Sequence, residues 1–247
     1  LHLNSFFSLG NLIDLNINEN KIKIIKKESF IGLDNLRKLD LSNNLIESIE
    51  EKGFYGLFSL SELDLSYNTI EIIKNRSFFG LDNLRKLDLS SSSIGSFEDE
   101  AFYGLHNLYE LNLRFNRIKI VKKKSFFGLD NLIKIILRSN LIESFEEEGF
   151  YGLKNLIELD FSYNKIKIIK NRSFYGLDNL KLLHLGSNLI ELIGEGGFNG
   201  LFSLTELDLS HNKIEIIKNR SFSGLHNLKK LCLNANSIAS FEDGAFL

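Results

Sequence analysis

Proline, methionine and tryptophan are absent from this sequence, and cysteine occurs once, at Cys232. A lone cysteine excludes an internal disulfide framework. No run approaches the roughly eighteen consecutive apolar residues of a membrane-spanning helix, so direct membrane insertion of this segment is not expected. Neither sign of charge dominates. The formal net charge is −2 with 25% of residues charged, so long-range attraction to nucleic acid or to an anionic surface is not indicated. Histidine is sparse and scattered. His2, His106, His184, His211 and His226 pair with no cysteine or carboxylate at a ligand-like spacing, and no catalytic or metal-binding residue is assigned. The compositional skew toward Asn, Lys, Ile and Phe is that of an A/T-rich coding sequence and carries no functional reading.

What the chain has in abundance is order. A 24-residue period runs through all 247 residues without a slip. Asparagine stands at Asn20, Asn44, Asn68, Asn116, Asn140, Asn164, Asn188, Asn212 and Asn236, with Ser92 in the one gap. An isoleucine follows two residues later in each case, and phenylalanine recurs from Phe6, Phe30, Phe54 and Phe78 to Phe246. Such a period predicts stacked supersecondary pieces rather than one globular core. One repeat reads Leu36, Leu39, Leu41, Asn44, Ile46, then Ile49, Phe54, Gly56 and Leu57. The alternation Leu39-x-Leu41 has the period of a short strand with one face buried. The looser spacing after Asn44 suits a return segment of turns and short helical pieces.

This pattern, LxxLxLxxNxI followed by IxxxxFxGL, resembles the leucine-rich repeat in its typical 24-residue extracellular class, and the resemblance covers the whole chain. That class includes Toll-like receptor ectodomains of innate immunity, small leucine-rich proteoglycans of the matrix, and adhesion and neuronal guidance proteins. The resemblance implies an α/β solenoid: a horseshoe of about ten repeats with a parallel concave sheet, an asparagine ladder and a phenylalanine spine. Residues 1–247 read as one array, a fragment of a longer chain. The first residues already lie inside a repeat, and neither end carries the Cys-rich cap usual in that class.

A second period of 48 residues is superposed on the first. Lys26-Lys27, Glu50-Glu51, Lys74 with Arg76, Glu98-Asp99-Glu100, Lys122-Lys123-Lys124 and Glu146-Glu147-Glu148 alternate in sign. The strand position Asp14, Lys38, Glu62, Lys86, Glu110, Lys134, Glu158 alternates as well. In a parallel stack each charge would lie beside an opposite one. A slip by one repeat would set like charges together, so the alternation specifies register. The aspartate column Asp40, Asp64, Asp88 and the pair Asp160, Asp208 would attract a cation, but Lys38 and Lys86 are simpler neutralisers.

Function is sought where the repeat departs from its own consensus. Arg114 and Phe115, then Ile133, Ile136 and Arg138, Ile157 and Tyr163, and Leu182 and His184 replace the small or charged residues usual on the strand face. Apolar and aromatic side chains rimmed by charge are the composition of an interaction hot spot. A competing surface is the aromatic column after each spine phenylalanine: Tyr55, Phe79, Tyr103, Phe127, Tyr151 and Tyr175. These rings are expected to pack on one another and be half-buried. Asn75, Asn171 and Asn219 each open an N-x-Ser sequon at one repeat position, away from the strands, which tilts the localisation toward extracellular. The expectation is a non-enzymatic, secreted or cell-surface module, without cofactor, that recognises a protein on its concave face. The alternative is a structural protein that self-assembles, end to end or through the aromatic flank.

Overall fold

A computed structural model describes residues 5–146 and 148–247. Residues 1–4, with His2, and Glu147 of the acidic run lie outside them. The chain divides into two compact blocks: Leu1–Arg117 with Ser125–Leu132, and Ile118–Lys124 with Ile133–Leu247.

Each block is a parallel-sheet solenoid. In the first, the strands Asp14–Asn16, Lys38–Asp40, Glu62–Asp64, Lys86–Asp88 and Glu110–Asn112 pair in chain order. In the second, Lys134–Ile136, Glu158–Asp160, Leu182–His184, Glu206–Asp208 and Lys230–Cys232 do the same. The register offset is 24 residues at every rung, as in Leu39 opposite Leu63 and Leu159 opposite Leu183. The reason is in the alternation. In the inner strands the middle aliphatic residue and the apolar residue two positions on, as in Leu39 and Leu41, are buried in one line, and shifting by one residue would expose both.

Behind the strands lies the asparagine ladder. Asn164 is typical: its Nδ2 donates to Leu137 O, Phe161 O and Ser162 O at 3.0, 2.9 and 3.3 Å, and its Oδ1 accepts from Ile142 N at 2.9 Å. One carboxamide thus satisfies a donor and several acceptors in two successive repeats, where the chain leaves the strand and offers them no ladder partner. The residue before each asparagine sits at positive φ, including the bulky Tyr67, Phe115 and Tyr163 at 54°, 55° and 58°. Such a conformation costs non-glycine residues on the order of 1 kcal/mol or more and persists because the ladder fixes the turn.

The phenylalanine spine forms as expected. In the first block Phe6, Phe30, Phe54, Phe78, Phe102 and Phe126 stack with centroids 5.7–6.3 Å apart. In the second, Phe150, Phe174, Phe198, Phe222 and Phe246 stack at 5.2–6.1 Å.

The helical part of the expected α/β class does not appear: the described residues contain strands and turns and no α-helix. Each return segment carries a left-handed residue and, four positions later, a left-handed glycine, as at Lys52 (φ 62°) and Gly56 (φ 101°). A right-handed helix cannot run through either.

The 48-residue period is visible in the backbone. A second set of two-residue strands pairs only within a two-repeat cassette: Ile24–Ile25 with Ser48–Ile49, Ile72–Ile73 with Ser96–Phe97, and so on to Ile216–Ile217 with Ser240–Phe241. The charge alternation accompanies this pairing in an unforeseen way. Glu50, Glu98, Glu146 and Glu242 accept the backbone N–H of Lys27, Asn75, Lys123 and Asn219 in the preceding repeat, at 2.8–2.9 Å. These carboxylates therefore cap orphan donors of a turn.

Candidate binding face

The strand face of the first block is polar. Its columns are Asp14, Lys38, Glu62, Lys86, Glu110 and Asn16, Asp40, Asp64, Asp88, Asn112. The expected cross-strand ion pairs are only register neighbours here. They close directly in the second block, where Lys134 meets Glu158 at 2.8 Å and Lys230 meets Glu206 at 2.6 Å.

The aspartates are held by their own strand ends. Asp40, Asp64 and Asp88 each accept the N–H of the serine two residues on, at 2.8–2.9 Å, and Asp88 also accepts Asn112 Nδ2 at 2.8 Å. Burial raises the Asp64 carboxyl above its ordinary value; hydrogen bonds from Ser66 oppose the rise, and Asp88 and Asp40 add to it. Among the described residues no three His, Cys, Asp or Glu side chains lie close enough together to hold a metal ion. Cys232 is half-buried, opposite Asp208.

The consensus-breaking residues divide between the blocks. Arg114 and Phe115 are exposed in the first, with the Arg114 guanidinium 5.8 Å from the Phe115 ring centroid. The others fall in the second. Ile133 and Ile157 are adjacent, because Ile157 N donates to Ile133 O at 2.8 Å. Ile136 lies opposite Asp160, which lies opposite His184; Leu182 lies between Glu158 and Glu206. The apolar residues therefore do not form one exposed patch. All four are half-buried, and Ile136 and Leu182 are interleaved with carboxylates of the neighbouring strands. The prominent feature is instead Tyr163, 53% exposed, with the Arg138 guanidinium stacked 4.3 Å from its centroid and bonded to Ser162 Oγ at 3.2 Å.

Sequence reasoning missed half of an aromatic series. Tyr67 in the first block and His211 in the second occupy the same left-handed position as Phe115 and Tyr163. Their spacing of 48 residues was the available signal.

The aromatic flank also departs from expectation. Tyr55, Phe127, Tyr151 and Tyr175 are exposed, and only Phe79 and Tyr103 are half-buried. Tyr55 and Tyr103 pack edge-on against a residue of their own repeat, Phe58 and His106, rather than on the next ring of the column. Arginine covers others: Arg76 lies 5.4 Å from the Tyr103 centroid and Arg172 lies 4.6 Å from that of Tyr175.

The sequon asparagines Asn75, Asn171 and Asn219 are exposed on turns that follow the two-residue strands. Ser77 and Ser221 are buried, their hydroxyls donating to Lys74 O and Ile193 O. No helix among the described residues is long and apolar enough to cross a membrane.

Comparison with known proteins bears on all of this. No curated sequence relative matches. Among solved structures, TLR13 in its complex with ssRNA13 superposes with a TM-score of 0.88 at 32% identity, over 96% of this chain and 34% of that one. Drosophila Toll, solved with Spatzle, gives 0.72 at 24% identity over 94% of this chain and 34% of that one, a likeness of fold alone. A Leptospira interrogans LRR protein gives 0.75 at 27% over 95% of this chain and 58% of that one. The chain thus spans about a third to a little over half of these proteins. The family model for the leucine rich repeat matches residues 1–46, 34–94, 82–135, 130–190 and 178–238. This chain belongs to the leucine-rich repeat family.

Proposed function

We propose that this chain is a non-enzymatic recognition module, exposed outside the cell, whose strand face takes a protein partner in the second block. The observation that carries the reading is the local replacement of small and charged consensus residues by Ile133, Ile136, Ile157 and Leu182 beside the Arg138–Tyr163 stack. Tyrosine and arginine over half-buried aliphatics make up the usual composition of a hot spot, and the interleaved carboxylates supply a polar rim. Two of the three structural relatives are Toll-type proteins solved with ligands, one with ssRNA13 and one with Spatzle. Protein is favoured over nucleic acid because Asp160 and Asp208 line the same face and would repel phosphates, while Lys134 and Lys230 are already engaged by Glu158 and Glu206. The concave form of that face is part of the proposal. So is N-glycosylation at Asn75, Asn171 and Asn219, which would leave the strands uncovered.

The test is a binding screen of the chain against secreted proteins, followed by two variants, Ile136→Glu with Leu182→Glu and Tyr163→Ala. A protein whose affinity drops by about tenfold or more in both variants supports the reading. Binding that ignores both, or selective capture of single-stranded RNA that both abolish, overturns it. Expression through a secretory pathway with and without glycosidase checks the localisation, since an unoccupied set of sequons removes its support.

A further inference from the structure

The turn segments of the second block, away from its strands, hold a cleft that the leucine-rich framework does not require. The aromatic column places one ring per repeat beside a left-handed glycine of the next repeat. In the first block that neighbour is covered. A Cβ on Gly80 would lie 3.3 Å from Tyr55 Cδ2, and one on Gly128 would lie 3.4 Å from Tyr103 Cα. In the second block Tyr151 and Tyr175 stand away from their glycines: a Cβ on Gly176 or on Gly200 would meet nothing within 4 Å. The two tyrosines are 55% and 53% exposed, against 37% for Tyr55.

The sequence shows why. Three residues after Tyr55 and Tyr103 come Phe58 and His106, whose rings brace them at 5.6 and 5.8 Å. Three residues after Tyr151 and Tyr175 come Lys154 and Asp178, exposed and with no ring to set against the tyrosine. The result is a cleft of about 340 Å³ lined by Glu148, Tyr151, Lys154, Tyr175, Asp178 and Asn179 among others.

The chemistry of the lining selects among ligands. Tyr151 presents a flat, electron-rich ring, and Tyr175 presents the face not taken by Arg172, whose guanidinium lies 4.6 Å from its centroid; such faces attract the weakly positive C–H face of a sugar ring. The rim offers both hydrogen-bonding roles. Lys154 is donor only, Asp178 acceptor only, and Asn179 uses its Nδ2 on Lys154 O at 2.8 Å, leaving Oδ1 to accept. Neither Lys154 nor Asp178 has a side-chain partner among the described residues. Glu148 is paired with Lys123 at 2.9 Å, so a ligand charged in either sense would face Lys154 or Asp178 unfavourably, and a wholly apolar ligand would leave both desolvated and unpaired. A polyhydroxyl ligand carries a donor and acceptors on each hydroxyl and satisfies both. The volume lies at the low end of small-ligand sites and admits a short saccharide.

We propose that the cleft between Tyr151 and Tyr175 binds a neutral carbohydrate, with the rings as platforms and Lys154, Asp178 and Asn179 as hydroxyl partners. It is independent of the protein-binding face and stands if that reading fails.

The experiment is saturation-transfer NMR on the chain, deglycosylated so that no attached glycan competes, with chitotriose, maltotriose, cellotriose and mannotriose as probes at about 5 mM. The expected result is transfer to the C–H protons of at least one probe, weakened roughly tenfold by Tyr151→Ala and by Tyr175→Ala. Asp178→Ala weakens it too, and Tyr55→Ala, in the covered part of the same column, leaves it unchanged. Tyr151, Tyr175 and Asp178 are exposed and Tyr55 is 37% exposed, and circular dichroism verifies that each variant folds. Absence of transfer from every probe overturns the proposal. So does transfer indifferent to both tyrosines, or a sedimentation profile in which the tyrosines hold two copies of the chain together.

Discussion

Ser92 is the one interruption of the asparagine ladder, and filling it measures what a rung is worth. In the rungs on either side, Asn68 Oδ1 accepts Ile46 N at 2.9 Å and Asn116 Oδ1 accepts Ile94 N at 3.0 Å. The equivalent donor facing Ser92 is Ile70 N, which meets no acceptor among the described residues, because the serine hydroxyl is too short and accepts Asn68 N at 3.3 Å instead. Ser92→Asn would supply Oδ1 to Ile70 N and Nδ2 to the carbonyls of Leu65 and Leu89, by analogy with Asn116 on Leu89 and Leu113. Relieving a buried unsatisfied N–H is worth about 1–3 kcal/mol, and each carbonyl bond adds less. Ordering the larger side chain offsets part of this. The net expectation is a stabilisation of about 2 kcal/mol, felt in the first block because repeats couple to their neighbours. A chain of this length would melt about 4–8 °C higher. Circular dichroism melts give the shift, and amide exchange at Ile70 gives its cause. A melting change under about 1 °C with unchanged exchange at Ile70 would refute the reasoning. The reciprocal change, Asn188→Ser, removes a complete rung and should cost a similar amount.

Three other outcomes are expected. Gly194 stands where Glu50, Glu98, Glu146 and Glu242 cap the preceding turn, and its would-be Cβ lies 3.8 Å from Asn171 N but a tight 3.2 Å from Ile169 O; with that crowding offsetting part of the gain, Gly194→Glu should stabilise the second block by about 0.5 kcal/mol, read by urea unfolding. Asp64 has a raised folded value, so the folded chain binds more protons than the unfolded one between 3.8 and that value, and stability falls as pH rises through the window. Asp64→Asn should therefore stabilise at pH 7 by less than about 1 kcal/mol after solvent screening, with the gain gone at acid pH; a gain that persists in acid contradicts the assignment. Phe174 is fully buried between Phe150 and Phe198, and Phe174→Ala should cost about 3–5 kcal/mol in a denaturant titration.

The site was less legible than the fold. Ile133, Ile136, Ile157 and Leu182 stand out in the sequence as breaks in consensus, yet the structure half-buries them among Lys134, Glu158 and Glu206. Deviation from a repeat can be read in one dimension; exposure depends on which neighbour's side chain reaches across the strand, and that cannot. The same limit applies to the tyrosine column. Tyr55 and Tyr151 are the same letter at the same repeat position, and only the packing of Phe58 against one and the absence of a brace on the other separates a covered ring from an open cleft.

The sequence by itself determined the solenoid, its register and its inward-facing columns. Leu39, Asn44, Ile46 and Phe54 repeat because each must meet its own copy one repeat away, so a periodic core is written directly into a periodic string. Only the tertiary structure decided that the acidic turns cap backbone donors, that the return segments are turns without helix, and where the surface opens. Those outcomes depend on distances of a few tenths of an ångström between side chains and backbone groups in adjacent repeats, a scale at which the period carries no information.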